Sequence, residues 1–293
     1  MAVSSIQTPK KPPWLKVKLP THENYFYVSK LLKEHDLHTI CQSAKCPNVS
    51  ECWAHKTATF LILGDTCTRA CAFCAVTKGE PSPPPKEEPE RVAEAVSKMN
   101  LRYVVITSVT RDDIPDGGAS QFASTLKSVK QQNPGIRVEV LIPDFNGNEK
   151  ALQTVISATP DVVNHNIEAP EPIYPLINRP VLNYRRSLKI LERAKAMGAT
   201  TKSGLMVGLG EKKHDIFQTF ADLKAVSCDL LTIGQYLQPS RLNTPTRKYY
   251  TPEEFAEYKN IALECGFSGV ESGPLVRSSY GAYGMYKKLK RTF

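Results

Sequence analysis

Apolar, β-branched runs of strand length alternate with amphipathic stretches of helix length along most of the chain. The predicted strands cover residues 59–63, 103–107, 138–142, 162–167, 203–207 and 230–236. The predicted helices cover residues 89–100, 119–132, 148–159, 184–197, 215–226 and 252–265. This alternation is typical of parallel strands joined by right-handed crossovers, and it predicts an α/β barrel, complete or partial. Because six units are fewer than the eight of a closed barrel, we expect the terminal segments to cover the gap.

Capping residues support the ends of several predicted helices. Thr251 is an N-cap residue followed by proline at the first helical position and by two glutamates at the positive end of the helix dipole. Gly198 and Gly266 lie just past predicted helix ends, where a left-handed conformation is preferred. A further helix is predicted within residues 22–38, before the repeating units.

The composition is that of a globular protein. The 293 residues are 41% hydrophobic and 23% charged, which excludes a collagen-like, low-complexity or wholly disordered chain. No apolar stretch approaches the ~20 residues of a membrane span, and residues 1–18 contain no apolar core of a secretory signal. These features predict a cytoplasmic protein with no membrane partner.

The formal net charge of +9 favours an anionic partner, whether nucleic acid, a phosphate-bearing ligand or an acidic protein. Part of the excess lies at the two ends of the chain, since four lysines precede residue 19 and four basic residues follow residue 286. Composition alone does not distinguish these partners.

Six of the eight cysteines fall between residues 41 and 74. In a reducing compartment such closely spaced cysteines more often bind metal than form disulfides. We therefore predict two metal-binding trios, one of Cys41, Cys46 and Cys52 and one of Cys67, Cys71 and Cys74. The other two cysteines, Cys228 and Cys265, are predicted to be inert core thiols.

The trio Cys67-x3-Cys71-x2-Cys74 directly follows the first predicted strand, at the strand end that carries chemistry in α/β barrels. Three thiolates on one loop can bind three irons of a [4Fe-4S] cube and leave the fourth iron open to a ligand that is not protein. The alternative is a closed zinc site, which takes four ligands, but no fourth Cys or His lies at a zinc-finger spacing.

This loop resembles the signature of the radical S-adenosylmethionine (SAM) superfamily. The resemblance implies a partial or full β/α barrel and a [4Fe-4S] cluster whose open iron is chelated by the amino and carboxylate groups of SAM. It places Phe73 beside the adenine. It also places Thr107 and Ser108, at the end of the second strand, near the methionine, and Asn166 and Glu168, at the end of the fourth, near the ribose.

The second trio, Cys41-x4-Cys46-x5-Cys52, matches neither the common zinc ribbons nor the ferredoxin runs. Its sequence resembles the auxiliary-cluster motif of the lipoyl synthase family, and the resemblance extends through residues 14–18, 107–109, 116–118, 164–168, 202–211 and 234–239. In this family a serine of the motif at 277–280 binds an auxiliary [4Fe-4S] cluster, and we assign Ser279 rather than Ser278 to this role. A serinate oxygen matches iron poorly beside soft thiolates, so this corner of the cluster should be the most labile.

The resemblance implies a sulfurtransferase. Reductive cleavage of SAM would give a 5′-deoxyadenosyl radical, which takes hydrogen from C6 and then from C8 of an octanoyl chain amide-linked to a lysine of a carrier protein. The auxiliary cluster supplies both sulfur atoms and is consumed unless it is rebuilt. The implied partners are octanoylated carrier domains (2-oxoacid dehydrogenase acyltransferase subunits and glycine cleavage H protein), a reductant such as ferredoxin or flavodoxin, and a cluster-assembly carrier, with no nucleic acid.

Other motifs leave alternatives open. The glycine pair at 208 and 210 indicates either a backbone approach to the adenine or a plain turn. Arg179, Arg185 and Arg186 could steer an acidic carrier, contact SAM or belong to a solvated loop. The six histidines show no metal-ligand spacing.

We predict three parts of the chain: an N-terminal extension with the auxiliary-cluster cysteines at 1–56, a partial (β/α)6 TIM-like barrel at 57–268, and a C-terminal extension with the serine motif at 269–293. The sequence departs from the lipoyl synthase pattern at three places. Gly281 stands where a histidine is usual, Leu242 and Asn243 replace a pair of histidines, and Thr110 replaces a common aspartate. None of these changes removes a predicted cluster ligand, but they bear on docking and on the choice of carrier.

Two other functions compete with this hypothesis. A radical SAM methylthiotransferase acting on tRNA also pairs two cysteine trios and would suit the basic charge, but it needs a larger N-terminal domain than the 40 residues before Cys41. A non-catalytic metal-cluster module that binds nucleic acid would show basic and aromatic residues interleaved on one face, and we find no such stripe. Metal content distinguishes the binding module from the lipoyl synthase hypothesis, because zinc with no iron would favour the module and two iron–sulfur cubes per chain would favour lipoyl synthase.

Overall fold

Parallel strands alternate with helices in the computed structural model, which describes residues 9–17 and 19–291. The strands are β1 His38–Thr39, β2 Thr59–Ile62, β3 Thr66–Cys67, β4 Thr77–Lys78, β5 Tyr103–Ser108, β6 Arg137–Leu141, β7 Val162–Asn164, β8 Thr201–Val207, β9 Leu230–Gln235 and β10 Gly269–Gly273. The α-helices are α1 Glu23–Glu34, α2 Ile40–Ser43, α3 Val49–Ala54, α4 Glu88–Lys98, α5 Ala119–Gln132, α6 Glu149–Ser157, α7 Leu182–Ala196, α8 Lys213–Ala225, α9 Pro252–Glu264 and α10 Ala282–Arg291. Short 3-10 helices cover Pro13–Leu15, Phe145–Gly147 and Glu171–Ile177.

Eight strands form one sheet in the order β1-β2-β5-β6-β7-β8-β9-β10. Every pair from β2 to β10 is parallel, and β1 pairs antiparallel with β2 at one edge. Because β1 and β10 each pair on one side, the sheet is a partial barrel, as the sequence predicts. Strands β3 and β4 form a separate two-stranded sheet.

All six predicted strands are present, and the sheet contains two more that the alternation did not predict. Strand β1 has only two residues, and β10 has one apolar side chain in five, so neither carries a hydrophobic period. These strands extend the two edges of the six-unit sheet. Strand β7 ends at Asn164 rather than residue 167, and Glu168 makes a single bridge to Leu205. Glu168 has φ of 66°, which takes the chain out of the extended conformation.

The predicted caps are confirmed. The Thr251 side chain accepts a hydrogen bond from the Glu254 backbone N–H at 3.3 Å, and the Glu254 carboxylate accepts one from the Thr251 N–H at 2.8 Å. This reciprocal capping box fixes the start of α9. Gly198 and Gly266 have φ of 83° and 94°, the left-handed conformation expected after α7 and α9.

The barrel interior contains a buried ion pair between β6 and β8. Lys202 Nζ lies 2.9 Å from Glu139 Oε1, and both side chains are almost completely buried. The Tyr103 hydroxyl and the Asn164 amide also donate to this carboxylate, at 2.7 and 3.0 Å. These hydrogen bonds offset the cost of removing two charges from water.

The two lone cysteines differ in exposure. Cys228 is fully buried, as predicted, and its thiol contacts the backbone oxygen of Leu230. Cys265 is exposed, so the prediction that it is a core thiol is wrong. It is the C-cap residue of α9, where the chain leaves the helix at the surface. Among the described residues, no helix has the length and apolar character needed to cross a membrane.

Candidate active site

A cavity of about 580 Å³ lies at the carboxyl ends of the parallel strands, the end that carries chemistry in α/β barrels. It is lined by five of the six clustered cysteines, Cys41, Cys46, Cys67, Cys71 and Cys74. The remaining predicted site residues that line it are Phe73, Thr107, Ser108, Asn166, Glu168, Ser278 and Ser279. The fold therefore brings both trios and the C-terminal serines, more than 200 residues apart in sequence, to one space.

The segment 67–74, here called the cluster loop, is held by side chains from two other loops. The Asn178 amide donates to the backbone oxygen of Ala70 at 2.9 Å. The Asn243 amide donates to the backbone oxygens of Ala72 and Cys74 at 3.1 and 3.0 Å. The Thr244 N–H also donates to the Ala72 oxygen at 3.0 Å, and together these bonds fix the loop's shape.

Arg69, in the middle of the cluster loop, anchors it to the barrel. Its guanidinium lies 2.7 Å from Asp112 Oδ2 and 2.6 Å from Asp144 Oδ1. Burial alone would lower the pKa of Arg69, but the hydrogen bonds to these two carboxylates raise it above its ordinary value. Burial alone would raise the pKa of Asp144, but Arg69 holds it well below its usual range. Both groups are therefore charged at neutral pH.

Two thiols of the cluster loop, Cys71 and Cys74, require a nearby positive charge to ionise. Burial raises the pKa of Cys74 to about 11, and it raises the pKa of Cys71 although the Arg179 guanidinium opposes the shift. None of the eight cysteines forms a disulfide. Thiols with a raised pKa are thiolates at neutral pH only when they bind a metal. A coordinated iron ion would supply the positive charge that they need.

The second trio lies around the short helices α2 and α3, next to the cavity. Burial raises the pKa of Cys41 to about 11 and that of Cys52 to about 12, and the neighbouring thiols raise that of Cys52 further. Burial also raises the pKa of Cys46, against an opposing effect of the Arg277 guanidinium. Cys52 is partly buried and does not line the cavity itself, but its electrostatic coupling to Cys41 and Cys46 places the three thiols together.

Two hydrogen bonds tie the C-terminal serine motif to this trio. The Asn48 amide donates to the backbone oxygen of Leu275 at 2.6 Å. The Tyr280 hydroxyl donates to Glu51 Oε1 at 3.0 Å. Because Asn48 and Glu51 lie between Cys46 and Cys52 in the chain, these bonds bring the turn of Ser278 and Ser279 against the trio.

Polar groups at the strand ends face the cavity without protein partners. Ser108 Oγ and Asn166 Oδ1 are buried and accept or donate no hydrogen bond within the described residues. Gly204 allows the Asn166 amide to fit, since a Cβ at Gly204 would lie 2.5 Å from Asn166 Oδ1. Buried polar atoms without partners are rare, and these two can bind a ligand because they line the cavity. Burial raises the pKa of Glu168, which lines the same cavity. Arg179 and Asn166 lower this pKa, but their effect is smaller than that of burial.

Thr107 and Phe73 contribute differently. The Thr107 hydroxyl donates to the Leu141 backbone oxygen at 2.9 Å, so it supports the strand ends. Phe73 packs against an apolar cluster that includes Ile177 and Tyr236. It gives the cavity a flat apolar wall beside the third cysteine of the cluster loop.

The three arginines that look alike in sequence occupy different environments. Arg179 is buried, lines the cavity and lies 5.3 Å from the centre of the Tyr174 ring. Arg185 is exposed and pairs with Glu171 at 2.9 Å. Arg186 joins the Arg69 network through Asp144 at 3.4 Å.

The glycine pair at 208 and 210 forms a turn. The Glu211 carboxylate accepts hydrogen bonds from the backbone N–H groups of Gly208 and Leu209 at 2.6 and 2.9 Å. These N–H groups are therefore occupied, and the turn does not line the cavity. Of the two alternatives for this motif, the geometry favours the plain turn.

Sequence reasoning did not identify Arg69 or Arg277 as site residues. Arg277 lines the cavity, and its guanidinium donates to the backbone oxygen of Val276 at 2.6 Å. The sequence signal that could have identified Arg277 is its position in the serine motif at 277–280. Arg69 lies between two predicted ligands, but its partners Asp112 and Asp144 are 43 and 75 residues away.

The donor set fits two iron–sulfur clusters and one polar ligand. The six thiols are buried or partly buried and free of disulfides, and two buried polar atoms without partners, Ser108 Oγ and Asn166 Oδ1, lie at the cavity. Within residues 9–17 and 19–291, no three Cys, His, Asp or Glu side chains converge on the position of a single metal ion. A closed zinc site requires four such converging ligands.

Comparison with known families shows two matches. Residues 61–223 match the radical SAM superfamily. Residues 2–46 match the N-terminal domain of lipoyl synthase of the Radical SAM family.

Curated relatives match along almost the whole chain. The chain is 52% identical over 283 residues to a lipoyl synthase of Rubrobacter xylanophilus, covering 96% of this chain and 88% of the relative. It is 53% identical to a lipoyl synthase of Caldicellulosiruptor saccharolyticus, covering 92% and 95% of the two chains. It is 54% identical to a lipoyl synthase of Shouchella clausii, covering 93% and 89%.

Solved structures share the fold at low identity. Streptococcus suis SuiB bound to S-adenosylmethionine aligns with a TM-score of 0.57 at 10% identity, over 76% of this chain and 53% of that one. The FeFe-hydrogenase maturase HydG from Carboxydothermus hydrogenoformans aligns with a TM-score of 0.54 at 13% identity, over 92% and 78%. These likenesses concern the fold alone.

Proposed function

The chain belongs to the lipoyl synthase family of the radical SAM superfamily, and we propose that it inserts two sulfur atoms at C6 and C8 of an octanoyl chain amide-linked to a lysine of a carrier protein. The observation that carries this proposal is one cavity lined by the cluster loop, by Cys41 and Cys46 of the second trio and by the C-terminal serines. A reaction that joins a radical to a sulfur atom needs both sites within reach of one substrate carbon.

In this proposal each trio holds its own [4Fe-4S] cluster. Cys67, Cys71 and Cys74 would hold the cluster that binds SAM, and Cys41, Cys46 and Cys52 with Ser279 would hold an auxiliary cluster. When bound, these groups supply a 5′-deoxyadenosyl radical and the sulfur atoms, respectively. The serine oxygen is the ligand that matches iron least, so Ser279 would release its iron first.

The chain's own residues bind and orient SAM. Ser108 Oγ and Asn166 Oδ1 offer buried polar atoms to it, and Glu168 offers a carboxylate at the same strand end. Phe73 provides the apolar wall for the adenine. The Arg179 guanidinium, which has no carboxylate within ion-pair distance among the described residues, offers a positive charge near Cys71.

Membership of the lipoyl synthase family implies the partners in this proposal. The octanoyl-lysine substrate is presented by 2-oxoacid dehydrogenase acyltransferase subunits or glycine cleavage H protein. A ferredoxin or flavodoxin supplies electrons. A cluster-assembly carrier rebuilds the auxiliary cluster after it has given up its sulfur.

Iron and sulfide analysis with EPR of the anaerobically reconstituted protein tests this proposal. The wild type should contain about eight irons per chain, and the Cys41→Ala/Cys46→Ala/Cys52→Ala variant about four. That variant should still form 5′-deoxyadenosine from SAM with an octanoyl-lysine peptide but should give no thiolated peptide. The Cys265→Ala variant is the matched control and should keep all eight irons, since Cys265 lies at the surface on α9.

Two results would contradict the proposal. Zinc in place of iron would favour a metal-binding module. Full thiolation by the triple variant would remove the second trio as the sulfur source, and activity on tRNA would then favour a methylthiotransferase.

A further inference from the structure

The structure points to the surface that receives the carrier protein, an inference that rests on the proposed function. We propose that the octanoylated carrier domain docks on Leu176, Arg241 and Leu242, here called the leucine rim. The two leucines would contact apolar side chains of the carrier, and Arg241 would contact an acidic side chain beside the modified lysine.

The two leucines of the rim are exposed. The relative exposure of Leu242 is 97% and that of Leu176 is 55%. Scattered exposed apolar residues are ordinary on protein surfaces, so exposure alone identifies nothing. A leucine side chain that is 97% exposed, however, gains almost no stabilising burial in its own fold. Packing within this chain therefore does not explain why the residue is apolar.

The segment around Leu242 is firmly held. The Ser240 hydroxyl donates to Asn243 Oδ1 at 2.7 Å, and the Gln238 amide donates to the Asn243 backbone oxygen at 2.8 Å. The Asn243 amide in turn donates to the cluster loop. Leu242 is therefore presented to solvent by a loop with fixed neighbours on both sides.

The rim lies beside the cavity. The Thr244 hydroxyl donates to the Leu176 backbone oxygen at 3.2 Å, which places the two leucine-bearing loops side by side. The Ala72 N–H donates to the Ile177 oxygen at 2.9 Å, so Leu176 also neighbours the cluster loop. Gln238 and Pro239, just before the rim, line the cavity itself.

The shape of the substrate requires such a surface. A cavity of about 580 Å³ accepts an octanoyl-lysine arm but not a folded domain. The body of the carrier must therefore stay outside and contact whatever surrounds the entrance. The leucine rim is an exposed apolar surface that lies beside the cluster loop and the cavity lining.

Charge favours an acidic carrier. Arg241 is exposed, and no carboxylate of residues 9–17 or 19–291 lies within ion-pair distance of it. The chain as a whole has a net charge of +9. A basic rim would steer an acidic partner to the entrance and fix its orientation.

Affinity measurements on the reconstituted holoprotein with SAM test the proposal. Two probes are used: octanoylated glycine cleavage H protein and a short octanoyl-lysine peptide. The variants are Leu242→Asp and Arg241→Glu, and the matched control is Leu263→Asp, an exposed leucine in the last turn of α9. The ratio of the H-protein Kd to the peptide Kd should rise about tenfold for each rim variant and stay within about twofold for the control.

The salt dependence supplies a second readout. The wild-type affinity for H protein should fall as ionic strength rises, and the fall should be smaller in Arg241→Glu because one attractive charge has been removed. A ratio within about twofold of wild type in both rim variants would overturn the docking proposal. If the wild type thiolates neither probe, the proposed function fails instead, so the two failures are distinguishable.

Discussion

Arg69 Nη2 lies 2.6 Å from Asp144 Oδ1, and this ion pair joins the cluster loop to the segment after β6. The Asp144 side chain is fully buried and also pairs with Arg186 at 3.4 Å, whereas Asp112, the other partner of Arg69, is 31% exposed. The two carboxylates therefore contact the same guanidinium at very different depths. The burial of each ion pair decides how much it stabilises the protein, because water screens an exposed ion pair much more than a buried one.

Replacing Asp144 should destabilise the protein far more than replacing Asp112. Asp144→Asn leaves two guanidinium groups without their shared charge, and we expect a loss of about 3 kcal/mol of unfolding free energy. Asp112→Asn should cost less than about 1 kcal/mol. Urea-induced unfolding of the two variants measures both values. Equal losses would show that the buried pair does not anchor the cluster loop.

His165 should give the folded protein a dependence on mildly acidic pH. Its Nδ1 lies 2.8 Å from the Ile142 oxygen, which can only accept, so Nδ1 carries the proton and Nε2 accepts from the Ser187 hydroxyl at 2.9 Å. Burial lowers the pKa of His165 to about 4, although the Ile142 oxygen opposes the shift. The unfolded histidine, with a pKa of about 6.5, then binds more protons than the folded one between these values.

Stability should therefore decrease as the pH falls from about 6.5 towards 4, because protons favour the unfolded state in this window. The full effect of His165 is about 3 kcal/mol, at 1.36 kcal/mol for each unit of pKa difference. His165→Gln should remove this part of the slope, measured as the difference in unfolding free energy between variant and wild type across the window. Parallel pH profiles would mean that His165 does not remain neutral in the fold.

Local spacing explains what the sequence could predict. Residues close to one another in the chain signal both cysteine trios, the strand ends at Thr107 and Asn166, and the cap at Thr251. The structure places all of these in one fold. Long-range contacts explain the rest. Arg179 and Arg185 lie six residues apart in the same basic stretch, yet one lines the cavity and the other pairs with Glu171 at the surface.

The missed strands have a related explanation. Strand β10 pairs with β9 through backbone hydrogen bonds, so its sequence, Gly-Val-Glu-Ser-Gly, needs no hydrophobic period. Strand β1 is fixed by only two residue pairs with β2. Partner strands rather than local propensity define both, and such context is absent from a single stretch of sequence.

Replacing each of the two C-terminal serines in turn should identify which one is the proposed iron ligand. Both line the cavity, and the Ser279 backbone oxygen accepts from the Ala282 N–H at the start of α10. Ser279→Ala should lower thiolated product by more than about tenfold while 5′-deoxyadenosine still forms, because only the auxiliary cluster loses a ligand. Ser278→Ala is the matched control and should retain product. The reverse pattern would assign the role to Ser278.

Arg277 should tune the auxiliary cluster that we propose at the second trio. Its guanidinium lies against Gly234, where a Cβ would come within 3.4 Å of Nη1, and it lowers the pKa of the nearby Cys46 thiol against the effect of burial. No carboxylate of the described residues pairs with it. A positive charge beside a cluster stabilises the more negative, reduced state and raises its midpoint potential.

Removing this charge should therefore lower the potential of the auxiliary cluster. In a background of Cys67→Ala/Cys71→Ala/Cys74→Ala, which leaves only that cluster, Arg277→Gln should shift the midpoint by about 40 mV to the negative side, since a unit charge at this depth contributes on the order of 1 kcal/mol and the couple transfers one electron. Arg277→Lys keeps the charge and should shift it much less. EPR-monitored redox titration gives both values. Equal shifts in the two variants would mean that Arg277 acts through packing, and no shift would show that its charge does not reach the cluster.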